Sequence, residues 1–301
     1  MISPIRSMKY LPTSASSVAS WQDRVRSQLI DLIKVGDQIF DKEIHPFESE
    51  TISSKEIDKY QVIEMKINST PFRQIEIVVT IPNEFVDFCP AVVAIAGHGG
   101  NRHTCYTKKS YHKCAHVLAQ QGFVTISTEV SQHDVKESGR TLMGERLWDL
   151  IRCVDFLESM EVVDNNRIGC IGNSLGGEMV MWLAAVDSRM SAAVSSSFLT
   201  FMDQMEDNHC MCWKFNGLRE IVDFPDIYSL IAPRPLLCQN GLQEPLSQFP
   251  VHLARDAKKE IEIIYQDLNA VENFEFITHA GGHEVHLSSL LSFLDKHLLQ
   301  N

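Results

Sequence analysis

Arg167-Ile-Gly-Cys-Ile-Gly-Asn-Ser-Leu-Gly-Gly177 is the stretch on which the reading of this chain turns. Arg167–Ile171 is short and apolar, the pattern of a buried strand, and Gly176–Val186 follows at once as a helix. Gly172-Asn173-Ser174-Leu175-Gly176 joins them and fits G-x-S-x-G. A connection this short forces a sharp strand-to-helix turn with the serine at its tip. Side chains at positions 172 and 176 would collide with neighbouring backbone, which accounts for the two glycines. A plainer reading of the same glycines is a helix start that turns the chain or binds an anion. The strand in front and the helix behind favour Ser174 as a nucleophile.

Outward from this turn, apolar runs alternate with helical segments. Ala91–Ala96, Phe123–Glu129, Ser191–Ser196, Pro235–Gln239 and Phe274–Thr278 read as strands. Lys108–Gln121, Thr141–Met160, Pro250–Leu268 and Val285–Leu299 read as helices. Unbroken apolar strands alternating with helices predict a mainly parallel sheet covered on both faces. Gln61–Ile67 and Gln74–Ile81, joined by Asn68-Ser-Thr-Pro71, predict an antiparallel start to that sheet. The first forty residues hold one amphipathic helix, with Trp21, Val25, Leu29, Ile30 and Ile33 at helical spacing and Ser17 or Ser20 as its cap. The expected organisation is an N-terminal helical extension, 1–45, packed on one α/β domain, 46–301. A loop or cap excursion interrupts that domain at about 198–232. A stretch that long outside the regular rhythm usually carries function.

A serine nucleophile needs a base, and the base needs an orienting acid. His283 follows the last strand in His279-Ala-Gly-Gly-His-Glu284, where two glycines let the loop bend back. His279 is the competitor and reads better as a structural histidine. Glu244 is the acid in the loop after Pro235–Gln239, with Asp203 as the other candidate. Two main-chain N–H groups are expected to hold a developing oxyanion. One belongs to Leu175. The other comes from Ala96-Gly-His-Gly-Gly-Asn101, at His98 or else Gly99, where glycines permit close approach. The His98 ring itself is expected to do no catalysis.

Other candidates lie farther from the elbow. Arg140 either binds a substrate carboxylate or makes a structural ion pair. Met202 and Trp213, in the methionine- and aromatic-rich segment Phe198–Ile231, are expected to wall the substrate pocket. His209-Cys-Met-Cys212 offers three zinc ligands within four residues but has no second cluster in sequence. A buried turn with reduced thiols is the favoured reading, and neither metal nor organic cofactor is expected.

The chain has 301 residues and a formal net charge of −12, which argues against nucleic acid as a partner. The expected partner is a small-molecule ester. No apolar stretch approaches the length of a membrane span, and the first residues do not read as an export signal. Eight cysteines in such a chain are expected to be free thiols, and the expected location is cytoplasmic.

Taken together, several pieces resemble the dienelactone hydrolase-like branch of the α/β-hydrolases, which includes acetyl xylan esterase-like proteins. They are Gly97-His-Gly-Gly100, Gly139-Arg-Thr141, Trp148-Asp149, Gly172-Asn-Ser-Leu-Gly-Gly177, Ile231-Ala-Pro-Arg-Pro-Leu236, Asn240-Gly241 and Gly281-Gly-His-Glu284. The resemblance runs from about Trp21 to the C-terminus and implies an ester or lactone hydrolase acting through Ser174, Glu244 and His283. Relatives often carry Asp where Glu244 stands, and dienelactone hydrolases proper use cysteine where this chain has Ser174. A peptidase of the same fold and a non-catalytic ligand-binding protein are the competing functional readings.

Overall fold

The computed structural model describes residues 6–12, 15–40, 45–85 and 87–300. Nine strands form one sheet: β1 (Glu50–Ile57), β2 (Tyr60–Thr70), β3 (Arg73–Pro82), β4 (Cys89–Ile95), β5 (Val124–Thr128), β6 (Val163–Asn173), β7 (Met190–Ser196), β8 (Leu236–Gly241) and β9 (Phe274–His279). Their spatial order is β1-β2-β3-β5-β4-β6-β7-β8-β9. The pairs β1–β2, β2–β3 and β3–β5 are antiparallel, and every pairing from β5 through β9 is parallel. The expected mixed sheet with an antiparallel start is therefore the one observed. β1 is an addition. Its residues are almost all exposed, so it lacks the apolar alternation by which a strand announces itself.

The chain steps from β4 to β5 on one side and to β6 on the other. Reversal of strand order opens a crevice at the carboxyl ends of the strands flanking it. The loop after β4 and the turn after β6 meet there. The strands β4, β5 and β8 are buried along their whole length. Both faces of the sheet carry apolar packing, one around Trp182, Tyr228 and Tyr265, the other around Phe123, Leu290 and Phe293.

The N-terminal helix runs Ala15–Ile33, so Ser17 and Ser20 lie inside it instead of capping it. Val18, Val25, Leu29 and Ile33 are fully buried in the main core. Thr141 ties this helix to a later one: its hydroxyl donates to Ile33 O at 2.7 Å and accepts from Gly144 N at 3.0 Å, capping the helix Leu142–Glu158. Residues 1–5, 13–14 and 41–44 of the expected N-terminal extension lie outside the described residues. The helix expected at Lys108–Gln121 is broken, with Lys109–Tyr111 as a 3₁₀ turn and Cys114–Gln120 as an α-helix. His112 and Lys113 between them adopt left-handed backbone. The excursion at 198–232 holds short helices at Met202–Asn208, Leu218–Ile221 and Phe224–Ser229.

The elbow packs without slack. A Cβ on Gly172 would lie 2.2 Å from Gly176 O, and one on Gly176 would lie 2.2 Å from Ile95 O. Both obstacles are backbone, so no rotamer change relieves them. Gly172→Ala is accordingly expected to destabilise the fold by about 3 kcal/mol or more, since overpacking against rigid backbone lies at the costly end of such changes. Urea unfolding of wild type and variant, followed by circular dichroism, measures the difference, and an unchanged midpoint would contradict this packing.

Candidate active site

Ser174 stands between β6 and the helix Leu175–Val186 with φ 60° and ψ −125°. A non-glycine residue at positive φ costs of the order of 1–3 kcal/mol and persists only where its surroundings enforce it. Here the Ser174 N–H donates to Ser196 O on the neighbouring strand at 2.9 Å. Ser174 and Leu175 both face a cavity of about 500 Å³.

His283 lines the same cavity. Its Nδ1 lies 3.0 and 3.1 Å from the two carboxylate oxygens of Glu244. The Glu244 side chain is fully buried and that of His283 is 31% exposed, so the acid is sealed behind a ring whose edge reaches the cavity. Two loops set this pair. Leu242 N donates to His279 O at 2.8 Å, and Gln243 N donates to Gly281 O at 2.9 Å. A Cβ on Gly241 would meet Gly282 O at 2.2 Å, so glycine there lets the loops after β8 and β9 run side by side. Phe249 stacks on the His283 ring at 5.7 Å and 17°.

The competitors for these roles lie elsewhere. Asp203 is exposed and pairs with Arg219. His279 stacks on His286 at 5.1 Å, and its Nδ1 accepts from Gly281 N.

Gly97 and His98 also line the cavity, while Gly99, at φ 66°, does not. The Gly97 N–H donates to the Tyr111 hydroxyl at 2.7 Å. A Cβ on Gly97 would meet Asn173 O at 2.7 Å and Ser174 Cβ at 3.1 Å, so the loop after β4 lies directly against the elbow. Burial pushes the His98 imidazole down to about 4, with the charges of Arg146, His133 and His209 adding to the effect.

For Arg140 the ion-pair alternative is the one observed, and two other pocket expectations need correction. Arg140 lies outside this cavity and forms a two-pronged ion pair with Asp37, at 2.6 and 2.8 Å, while also donating to Lys34 O. Its fork-shaped head finds a complementary carboxylate in the short helix Gly36–Phe40 that follows the N-terminal helix. Met202 and Trp213 are buried in the core behind the cavity, where Trp213 meets Phe224 edge-on at 5.5 Å. Phe198, Met205, His209, Cys210 and Phe249 form the cavity wall in their place.

Sequence reasoning also passed over Glu178. It lies one helical turn beyond Ser174, lines the cavity and is almost wholly buried. Burial raises its carboxyl from 4.5 to about 7, with the Arg146 charge opposing the rise. A lone acid on the otherwise apolar helix Leu175–Val186 was the available signal. Tyr111 was missed because its role depends on a loop contact across 14 residues.

The turn expected to be buried around Cys210 and Cys212 also differs. The turn holding Cys210 is exposed, and His209 is not among the residues gathered around the two thiols. His98, His133, Cys210 and Cys212 are, with their ligand atoms all within 4.8 Å of one another. All eight cysteines are free thiols, as expected. Among the described residues no helix is long and apolar enough to cross a membrane.

Residues 110–220 match the model of the prolyl oligopeptidase family. The Bacillus subtilis (strain 168) protein named "Putative hydrolase YtaP" is 29% identical over 151 residues, which make up 48% of this chain and 50% of that protein's own length. A glucuronoyl esterase from Solibacter usitatus superposes with a TM-score of 0.72 at 13% identity, covering 97% of both chains. An acetyl xylan esterase from Paenibacillus sp. R4 superposes with a TM-score of 0.66 at 17% identity, covering 97% of this chain and 98% of its own. The chain has the α/β-hydrolase fold. In an α/β-hydrolase the strand-to-helix turn presents the nucleophile above the sheet, and acid and histidine follow in chain order. Ser174 stands on the turn after β6, and Glu244 and His283 follow it in chain order, in the loops after β8 and β9.

Glu178 supplies a test independent of turnover. Its folded carboxyl holds the proton more tightly than the unfolded one. Native stability is therefore fullest below the ordinary value of 4.5 and is lost as pH rises toward about 7. Glu178→Gln removes this dependence. Its stability relative to wild type should climb between pH 5 and pH 8, by on the order of 3 kcal/mol at most. Urea titrations of both proteins across that range read the effect, and parallel stability curves would mean that the carboxyl titrates normally.

Proposed function

We propose that this protein is a serine hydrolase of small carboxylic esters, working through a covalent acyl-enzyme. The observation that carries the reading is the meeting in one cavity of Ser174, on its positive-φ elbow, and the His283–Glu244 pair. Ser174 Oγ attacks the ester carbonyl as His283 Nε2 takes its proton. The Nδ1–H of His283 donates to Glu244, which holds the tautomer and stabilises the imidazolium. The main-chain N–H groups of Leu175 and His98 receive the oxyanion. The Gly97 N–H is already engaged by Tyr111, which passes the second donor role to the next residue. Collapse of the tetrahedral intermediate expels the alcohol, which leaves with the proton from His283. Water then attacks the acyl-enzyme by the same route in reverse and releases the acid.

The cavity volume of about 500 Å³ suits a small ester, lactone or thioester, and Phe198, Met205 and Phe249 give it an apolar wall. Structural neighbours named as acetyl xylan and glucuronoyl esterases support a carbohydrate ester among the candidates. The eight unpaired thiols support a cytoplasmic location.

Turnover of short-chain p-nitrophenyl esters is the direct test. Ser174→Ala and His283→Ala are each expected to lower kcat by about four orders of magnitude or more, because the residues act as a unit. Glu244→Gln is expected to keep the fold and cost about two to four orders. Equal activity in wild type and Ser174→Ala would falsify the assignment.

A peptidase is the second reading, and the match of residues 110–220 to the prolyl oligopeptidase family supports it. Matched ester and peptide p-nitroanilide substrates separate the two: preferential cleavage of the anilides would move the assignment to peptidase. A fluorophosphonate probe addresses the binding-protein reading, since only a serine activated by a base and an oxyanion hole reacts rapidly. Folded protein left unlabelled at Ser174 would favour a ligand-binding role.

A further inference from the structure

Three excursions from the carboxyl edge of the sheet converge beside the Ser174 cavity. His98 comes from the loop after β4, His133 from the loop after β5, and Cys210 and Cys212 from the excursion at 198–232. His98 Nε2 lies 3.1 Å from Cys212 Sγ, and His133 Nε2 lies 3.2 Å from Cys210 Sγ. The two imidazoles sit 5.6 Å apart. All four potential ligand atoms fall within 4.8 Å of one another. Among the described residues, no other group of three or more His, Cys, Asp and Glu side chains gathers this closely.

Zinc bonds of about 2.3 Å to sulfur and about 2.0–2.1 Å to nitrogen place tetrahedral donors roughly 3.3–3.8 Å apart. The widest pair here must therefore close by about 1.5 Å at most, a movement that side-chain rotation in these loops supplies without repacking the core. Two imidazole nitrogens and two sulfurs are a donor set that suits zinc over magnesium, calcium or manganese, which take oxygen ligands.

We propose that His98, His133, Cys210 and Cys212 form a structural zinc site that clamps the excursion at 198–232 onto the loops after β4 and β5. Binding converts both thiols to thiolates and releases their two protons to solvent, so the Zn²⁺ with two thiolates and two neutral imidazoles is uncharged overall. That neutrality allows the buried Arg146 to remain alongside, with its Nη1 donating to Cys212 Sγ at 3.4 Å. Four protein ligands leave no open position for water, so the ion holds structure and takes no part in hydrolysis. The clamp also links the chain segments of His98 and Cys210, both of which line the Ser174 cavity. Its effect on turnover rests on the ester-hydrolase reading; zinc binding does not.

Elemental analysis of tag-free, reduced protein after gel filtration in zinc-containing buffer is the first measurement. One zinc per chain is expected. Cobalt substituted for zinc should show sulfur-to-cobalt charge transfer and the intense visible bands of a tetrahedral ion. Cys210→Ser with Cys212→Ser, and separately His133→Ala, should abolish stoichiometric retention while the far-ultraviolet circular dichroism stays native. The exposed His133 provides the second variant should the double one fold poorly. Reduced wild-type protein without bound zinc, another metal bound in its place, or zinc retained undiminished in the folded variants would overturn the proposal. These readouts need no substrate, so zinc-binding protein without esterase activity would overturn only the hydrolase reading.

Discussion

The architecture depends on one close backbone approach. Helix Leu175–Val186 must start within a residue of the end of β6, at van der Waals limits against β4. Gly172 and Gly176 allow this because neither carries an atom where the opposing carbonyl stands 2.2 Å away. Ser174 then takes a backbone conformation that most residues avoid, held by the hydrogen bond to Ser196 O and by the buried helix behind it. That strain has a geometric result: the serine side chain is lifted out of the sheet into the crevice formed where strand order reverses.

Around this turn the remaining groups are positioned by loops that brace one another. The segments after β8 and β9 are cross-linked by main-chain hydrogen bonds, so Glu244 and His283 arrive as a preassembled pair. The loop after β4 is held by Tyr111 and presses on Asn173 and Ser174. In each case a glycine marks the contact and a backbone group fills the space. Preorganisation of this kind fixes donors before charge develops, which is where most electrostatic stabilisation in such sites originates.

Two buried carboxyls near Ser174 have different surroundings. Glu244 faces His283 Nδ1 with both of its carboxylate oxygens, at 3.0 and 3.1 Å. Glu178 lies beyond direct neutralisation, and burial raises its carboxyl to about 7 despite the nearby guanidinium of Arg146. Arg146 in turn stands between Glu178 and Cys212, connecting the floor of the cavity to the cluster of histidines and thiols at its rim.

The sequence by itself determined the α/β layering, the elbow at Gly172–Gly176 and the order of Ser174, Glu244 and His283. These are signalled by local rules: apolar runs of strand length, helical spacing and glycines wherever backbone crowds. Tertiary structure alone decided which other side chains share the site. Arg140 had two readings in sequence, and the fold chose the ion pair by bringing up Asp37, 103 residues away. Met202 and Trp213 had pocket-like chemistry, but the fold of the excursion turns them into the core. The meeting of His98 and His133 with Cys210 and Cys212 joins three loops, with 114 residues between His98 and Cys212. No periodicity encodes such a meeting, because residues at the ends of different parallel strands become neighbours only when the sheet orders its strands.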